Sequence, residues 1–195
     1  MSQLASVAYL GDRLRAGAWL AAGRPARALA CFDAMVRRFP DRRHPLASRA
    51  HLLAVTGRRD AALADYRVLV AGDPADAASW FNLGFLLEQG GDDAAALDAF
   101  RHAVAADPAL DRAWYGQGLA LGRLGRHDEA VVALERAAEL QPMNPHGWTA
   151  LAQAQRACGR HDDAARSACQ LDGFDPRAAA ALRRTLDAPV EQEPR

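Results

Sequence analysis

Two polar tetrads are the first candidates for chemistry in this chain. Arg126-His127-Asp128-Glu129 and Arg160-His161-Asp162-Asp163 each set an imidazole beside paired carboxylates, the equipment of acid–base catalysis or metal binding. They fall at the same place in successive copies of a repeating pattern, a turn into a helix. An acidic pair there complements the positive end of the helix dipole, which explains both tetrads without catalysis. Cys158 and His161 have a Cys-x2-His spacing, but no second pair completes a four-ligand site. No glycine-rich phosphate loop follows a strand, and no serine–histidine–aspartate order has a supporting motif. The sequence predicts no enzyme, no metal site and no cofactor.

Charge narrows the partners further. The 24 basic residues, all arginine, balance 24 acidic ones, so no global field favours nucleic acid or a membrane surface. The balance is uneven along the chain. Residues 1–76 hold twelve arginines against seven acidic residues, and residues 77–195 hold twelve against seventeen. Arg37, Arg38, Arg42 and Arg43 surround Pro40 without interleaved aromatics, and read as a solvated turn. No apolar run is long enough to span a bilayer. Asp12, Arg13 and Arg15 interrupt the apolar N-terminal segment, which argues against a signal peptide. A cytoplasmic location is expected, with no nucleic-acid or membrane partner. Cys31, Cys158 and Cys169 have no disulfide spacing and read as small helix residues.

The elements that hold these residues show best between Trp80 and Pro108. Trp80, Leu83, Gly84 and Leu87 share one helical stripe. Gly84 has no side chain, so a neighbouring helix can approach there. Gly90-Gly91-Asp92 breaks the helix, and Ala96, Phe100, Ala103 and Val104 define a second stripe. Pro108 cannot continue that second helix. The unit is an antiparallel helical hairpin that needs stacked neighbours to bury its apolar faces.

Stepping by about 34 residues recovers this unit along the chain. Trp, Leu-Gly, a large residue, Ala, Phe and a closing Pro fall on Trp80, Leu83, Gly84, Leu87, Ala96, Phe100 and Pro108, and the chain thereby resembles the tetratricopeptide repeat (TPR) family. Repeats are expected at about 9–42, 43–76, 77–110, 111–144 and 145–178. The first is degenerate, with Asp12 and Arg15 at apolar positions, as suits a terminal unit. Ser2 is a candidate N-cap, residues 177–187 form a candidate capping helix, and residues 188–195 a candidate disordered tail. The resemblance implies an all-α, right-handed α-solenoid of five hairpins plus that capping helix, in one domain. Its first helices would line a concave groove.

Positions beyond the packing stripe give the candidate groove residues. Phe81 and Phe85 lie one turn apart, with Glu88 a further turn on. Tyr115 and Leu119 occupy the equivalent face of the next repeat, between Arg112 and Arg123. His51 with Ala47, and Gln153 and Arg156 with Thr149, continue the face on either side. The predicted groove has an apolar centre and polar, mostly basic ends. Chaperone-tail receptors of the family use a Lys/Asn/Arg clamp. Asn82 and Arg112 match two of its positions, but Ala47, His51 and Gly116 lack the remaining donors, which disfavours that role. The expected partner is a peptide or amphipathic helix, apolar with acidic flanks, and the expected role a non-catalytic scaffold or adaptor. The alternatives are a homo-oligomerising assembly module and a regulatory subunit of an enzyme.

Overall fold

The computed structural model describes residues 3–187, with side chains from residue 6. The expected N-cap at Ser2 and tail at 188–195 lie outside the described residues. Among those described there are eleven α-helices and no strand. Five pairs follow in order: α1 (Gln3–Ala21) with α2 (Pro25–Arg38), α3 (Arg43–Val55) with α4 (Arg59–Gly72), α5 (Ala77–Gln89) with α6 (Asp93–Ala106), α7 (Asp111–Arg123) with α8 (His127–Leu140), and α9 (Pro145–Ala157) with α10 (His161–Asp172). The eleventh, α11 (Pro176–Asp187), packs on α10 and α9.

Local backbone chemistry sets each hairpin. Gly23, Gly57, Gly91, Gly125 and Gly159, one in each repeat, have φ between 66° and 79°, a left-handed conformation that costs other residues a steric clash. In each turn the residue after the glycine donates its N–H back five positions. Examples are Asp92 to the Leu87 carbonyl at 3.1 Å and Arg126 to that of Leu121 at 2.9 Å. This is the Schellman closure, which satisfies carbonyls orphaned at the end of the first helix. Of the Gly90-Gly91 pair, Gly91 adopts the left-handed turn.

A second device holds the joints between repeats. The indole N–H groups of Trp80, Trp114 and Trp148 donate to the carbonyls of Pro74, Pro108 and Pro142, at 3.0, 3.0 and 2.8 Å. Each tryptophan thus ties its helix to the proline turn six residues earlier, with its ring half-buried. Asp76, Asp92 and Asn144 cap the starts of α5, α6 and α9 through their side chains, each satisfying an otherwise orphaned N–H.

Packing joins the hairpins into one seam. Phe100 is fully buried between repeats. A Cβ at Gly84 would stand 2.9 Å from its ring and one at Gly116 only 2.6 Å. The ring is therefore clasped by one glycine of its own hairpin and one of the next. Leu29, Leu87 and Trp148 each bridge two neighbouring core clusters. α5 also touches α7, and α7 touches α9, so these first helices form a common wall.

The first repeats are tied by charge as well. Arg49 on α3 pairs with Asp65 on α4 and Asp33 on α2. Arg43 pairs with Asp73 and Asp76 at the joint before α5. This arginine of the basic cluster around Pro40 is therefore an inter-repeat tie. Arg38 pairs with Asp12 and lies over Phe39, while Arg42 lies over Tyr9.

Candidate interaction surface

Two adjacent regions on the first helices hold most of the candidate residues. The first is a hollow of about 270 Å³ between α3, α4 and α5. It is lined by His51, Ala54, Val55, Tyr66, Asn82, Phe85, Leu86 and Gln89. Phe85 is 44% exposed, a large aromatic surface left to water on a helix otherwise committed to packing. Val55, 65% exposed, stands on the opposite wall. Helical spacing explains the shape: His51 and Val55 are one turn apart on α3, as are Asn82 and Leu86, and Phe85 and Gln89, on α5. Tyr66 is a buried wall residue from α4. Burial, with the negative charges of Asp76 and Asp65, pushes its phenol up to about 12, so it stays neutral at physiological pH.

The second region is a packed ridge. Phe81 stacks with Phe85 at a centroid distance of 6.3 Å and tilts against Phe100 at 6.0 Å. The guanidinium of Arg112, from the next repeat, lies over the Phe81 ring at 4.8 Å, a cation–π contact. Phe81, Tyr115 and Leu119 are half-buried against the core cluster that contains Phe100. Burial raises the Tyr115 phenol and the nearby Glu88 carboxylate adds to the shift, with Arg123 opposing it.

Charged candidates at this ridge satisfy one another. Arg123 on α7 donates to Glu88 at 2.5 Å and to Asp93 at 2.6 Å, pinning α7 to the hairpin of α5 and α6. Gln153 is exposed on α9. Arg156 is engaged by α11, where its guanidinium donates to the Thr185 carbonyl. Gly116 faces Phe100, so the matching clamp position is taken up by packing.

The structure brings His51, Asn82 and Phe85 together at the hollow. Sequence reading missed Val55 and Gln89, which one further turn along the stripes of His51 and Phe85 would have found. Tyr66, buried on α4, also lines the hollow, a placement that the helical spacing of α3 and α5 does not indicate. Larger hollows of about 360 and 540 Å³ lie among α8 to α11. The smaller is walled by Ala164, Ala165, Ala168 and Leu186 with Arg183, which pairs with Asp172; the larger by Trp148 and Leu151 with polar side chains that include the Arg166–Asp163 pair. Among the described residues no group of three or more His, Cys, Asp or Glu side chains is placed to hold a metal ion.

The tetratricopeptide repeat family model matches residues 47–111 and 115–176. No curated protein matches the sequence. Among solved structures, MamA 41-end from Desulfovibrio magneticus RS-1 is 22% identical with a TM-score of 0.76, covering 96% of this chain and 99% of that one. A tetratricopeptide repeat protein from Parabacteroides merdae is 18% identical with a TM-score of 0.79, covering 91% and 72%. TTC0263, a thermophilic TPR protein of Thermus thermophilus, is 23% identical with a TM-score of 0.59, covering 91% and 96%. At these identities the likeness is one of fold.

Proposed function

The chain belongs to the tetratricopeptide repeat family, and we propose that it is a non-catalytic scaffold that grips a peptide or helical segment of another protein at the hollow between α3 and α5. The observation that carries this reading is the exposed Phe85 ring beside Asn82, opposite His51 and Val55. Apolar surface held open on a rigid helix is costly in water and favours a partner's apolar side chain. The hollow has room for one large apolar residue. Asn82, Gln89 and His51 offer hydrogen bonds around that residue, and the helices hold them in place before binding, which lowers the ordering cost. Arg112 lies one repeat further on, over Phe81, and favours acidic residues flanking the anchor. The partner is therefore an extended or helical segment with one apolar anchor and acidic neighbours.

Selection of a displayed random-peptide library against the full chain tests the reading. Enriched peptides should carry an apolar residue next to Asp or Glu, and Phe85→Ala should weaken them about tenfold or more. Failure to enrich any such motif, or binding indifferent to Phe85→Ala, would count against it.

A further inference from the structure

The first helix carries a second apolar face that repeat packing does not use. On its inner side Ala16 is fully buried, and Ala8, Tyr9 and Trp19 pack with Phe32, Met35 and Phe39. On its outer side Val7, Leu10 and Leu14 are 70%, 53% and 66% exposed. Gly11, Gly17, Ala18 and Ala21 are exposed beside them, and a Cβ at Gly11 or Gly17 would meet nothing within 4 Å. At 3.6 residues per turn these seven positions share a single arc of about 120° with no charge inside it. Arg13 and Arg15, both exposed, stand at its two margins. α1 is also longer than the other first helices, 19 residues against 13 for α3, α5, α7 and α9.

Charge decides what suits this face. Residues 1–42 hold seven arginines and three aspartates, and one of those, Asp12, is shared between Arg15 and Arg38. The first repeat is therefore net positive although the chain is neutral. A second copy docked here about a twofold axis would set two positive repeats against each other. An anionic lipid surface instead takes the apolar arc into its headgroup layer, while the marginal arginines reach the phosphates. No helix of the described residues is long and apolar enough to cross a membrane, so the contact is one of lying on the surface.

We propose that α1 is a peripheral anchor that docks the protein on an anionic bilayer through Val7, Leu10 and Leu14, with Arg13 and Arg15 on the headgroups. This departs from the expectation of no membrane partner, which rested on the neutrality of the whole chain. It is also independent of the hollow, which lies on α3 to α5.

Co-sedimentation of the full chain with vesicles tests it, comparing phosphatidylcholine alone with a phosphatidylcholine–phosphatidylglycerol mixture. The protein should sediment with the anionic vesicles only, and less as salt is raised. Leu10→Gln and Leu14→Gln should each lower partitioning about tenfold, and Arg13→Gln about fivefold. Phe85→Ala should leave it unchanged. Circular dichroism on each variant confirms the helical fold, which these solvent-facing substitutions should preserve. Absence of binding to anionic vesicles, or binding that survives the leucine pair, overturns the proposal. A concentration-dependent dimer in analytical ultracentrifugation that the leucine pair abolishes also overturns it, by assigning the face to a second copy.

Discussion

Arg49 and Asp65, sixteen residues apart, meet side-on through two hydrogen bonds of 2.7 Å, from Nε to Oδ2 and from Nη2 to Oδ1. Asp65 is buried on α4, and Arg49 spends its remaining fork on Asp33 of α2 at 3.0 Å. One guanidinium thus spans three helices. Deleting it strands a buried carboxylate, whereas deleting both partners removes the problem. Arg49→Met should cost about 3 kcal/mol in urea denaturation, and Arg49→Met with Asp65→Leu should recover most of that loss. Equal stability of the single variant and the parent would refute the account.

Phe85 and Tyr115 share a predicted groove face but should respond differently to truncation. Phe85 is open to solvent, so Phe85→Ala should change stability by less than about 1 kcal/mol. Tyr115 is packed against the Phe100 core, and Tyr115→Ala should cost about 2–3 kcal/mol. Thermal unfolding of the two variants side by side separates a binding residue from a packing one.

Gly122 and Gly125 offer a test of backbone cause. Gly125 has φ of 73°, so Gly125→Ala should destabilise by about 1 kcal/mol. Gly122 lies within α7, and a Cβ there would meet nothing within 4 Å. Gly122→Ala should stabilise by about 0.5–1 kcal/mol. Chemical denaturation should show the two alanines moving the midpoint in opposite directions.

Gln117 stands where the neighbouring repeats place Leu83 and Leu151, both buried. Its Oε1 is buried without a hydrogen-bond partner, a desolvation cost with no return. Gln117→Leu should raise stability by about 1 kcal/mol. A lower melting temperature for that variant would show that the amide is satisfied in solution.

Asp76 gives a pH signature. Burial opposes its ionisation, but hydrogen bonds from Ser79 and the charge of Arg43 outweigh it, and the carboxyl sits below the ordinary 3.8. A folded-state value below the unfolded one means the stabilisation is present above 3.8 and lost as pH falls through the lower folded value. The stability gap between the parent and Asp76→Asn should therefore hold down to about pH 4 and close below it. Urea midpoints measured from neutral pH down into the acid range would check this, and a gap that persists at the acidic limit would contradict it.

The hairpins and their order were legible in the sequence because short-range chemistry fixes them. Glycines one repeat apart take the left-handed turns, prolines close the second helices, and apolar stripes of helical period mark the faces that must be covered. Such features act within a few residues of themselves, so a linear reading captures them. The state of each outward-facing side chain was decided elsewhere. Phe81 and Phe85 leave α5 on the same face, yet Phe81 is set against Phe100 from α6 and covered by Arg112 from α7, while Phe85 stays open. Glu88 and Arg123 each looked available to a partner, and the stacking of α7 on α5 neutralised both. Periodicity states the direction in which a side chain leaves its helix. Exposure and charge pairing depend on what the next repeat places in front of it, and only the packed solenoid supplies that.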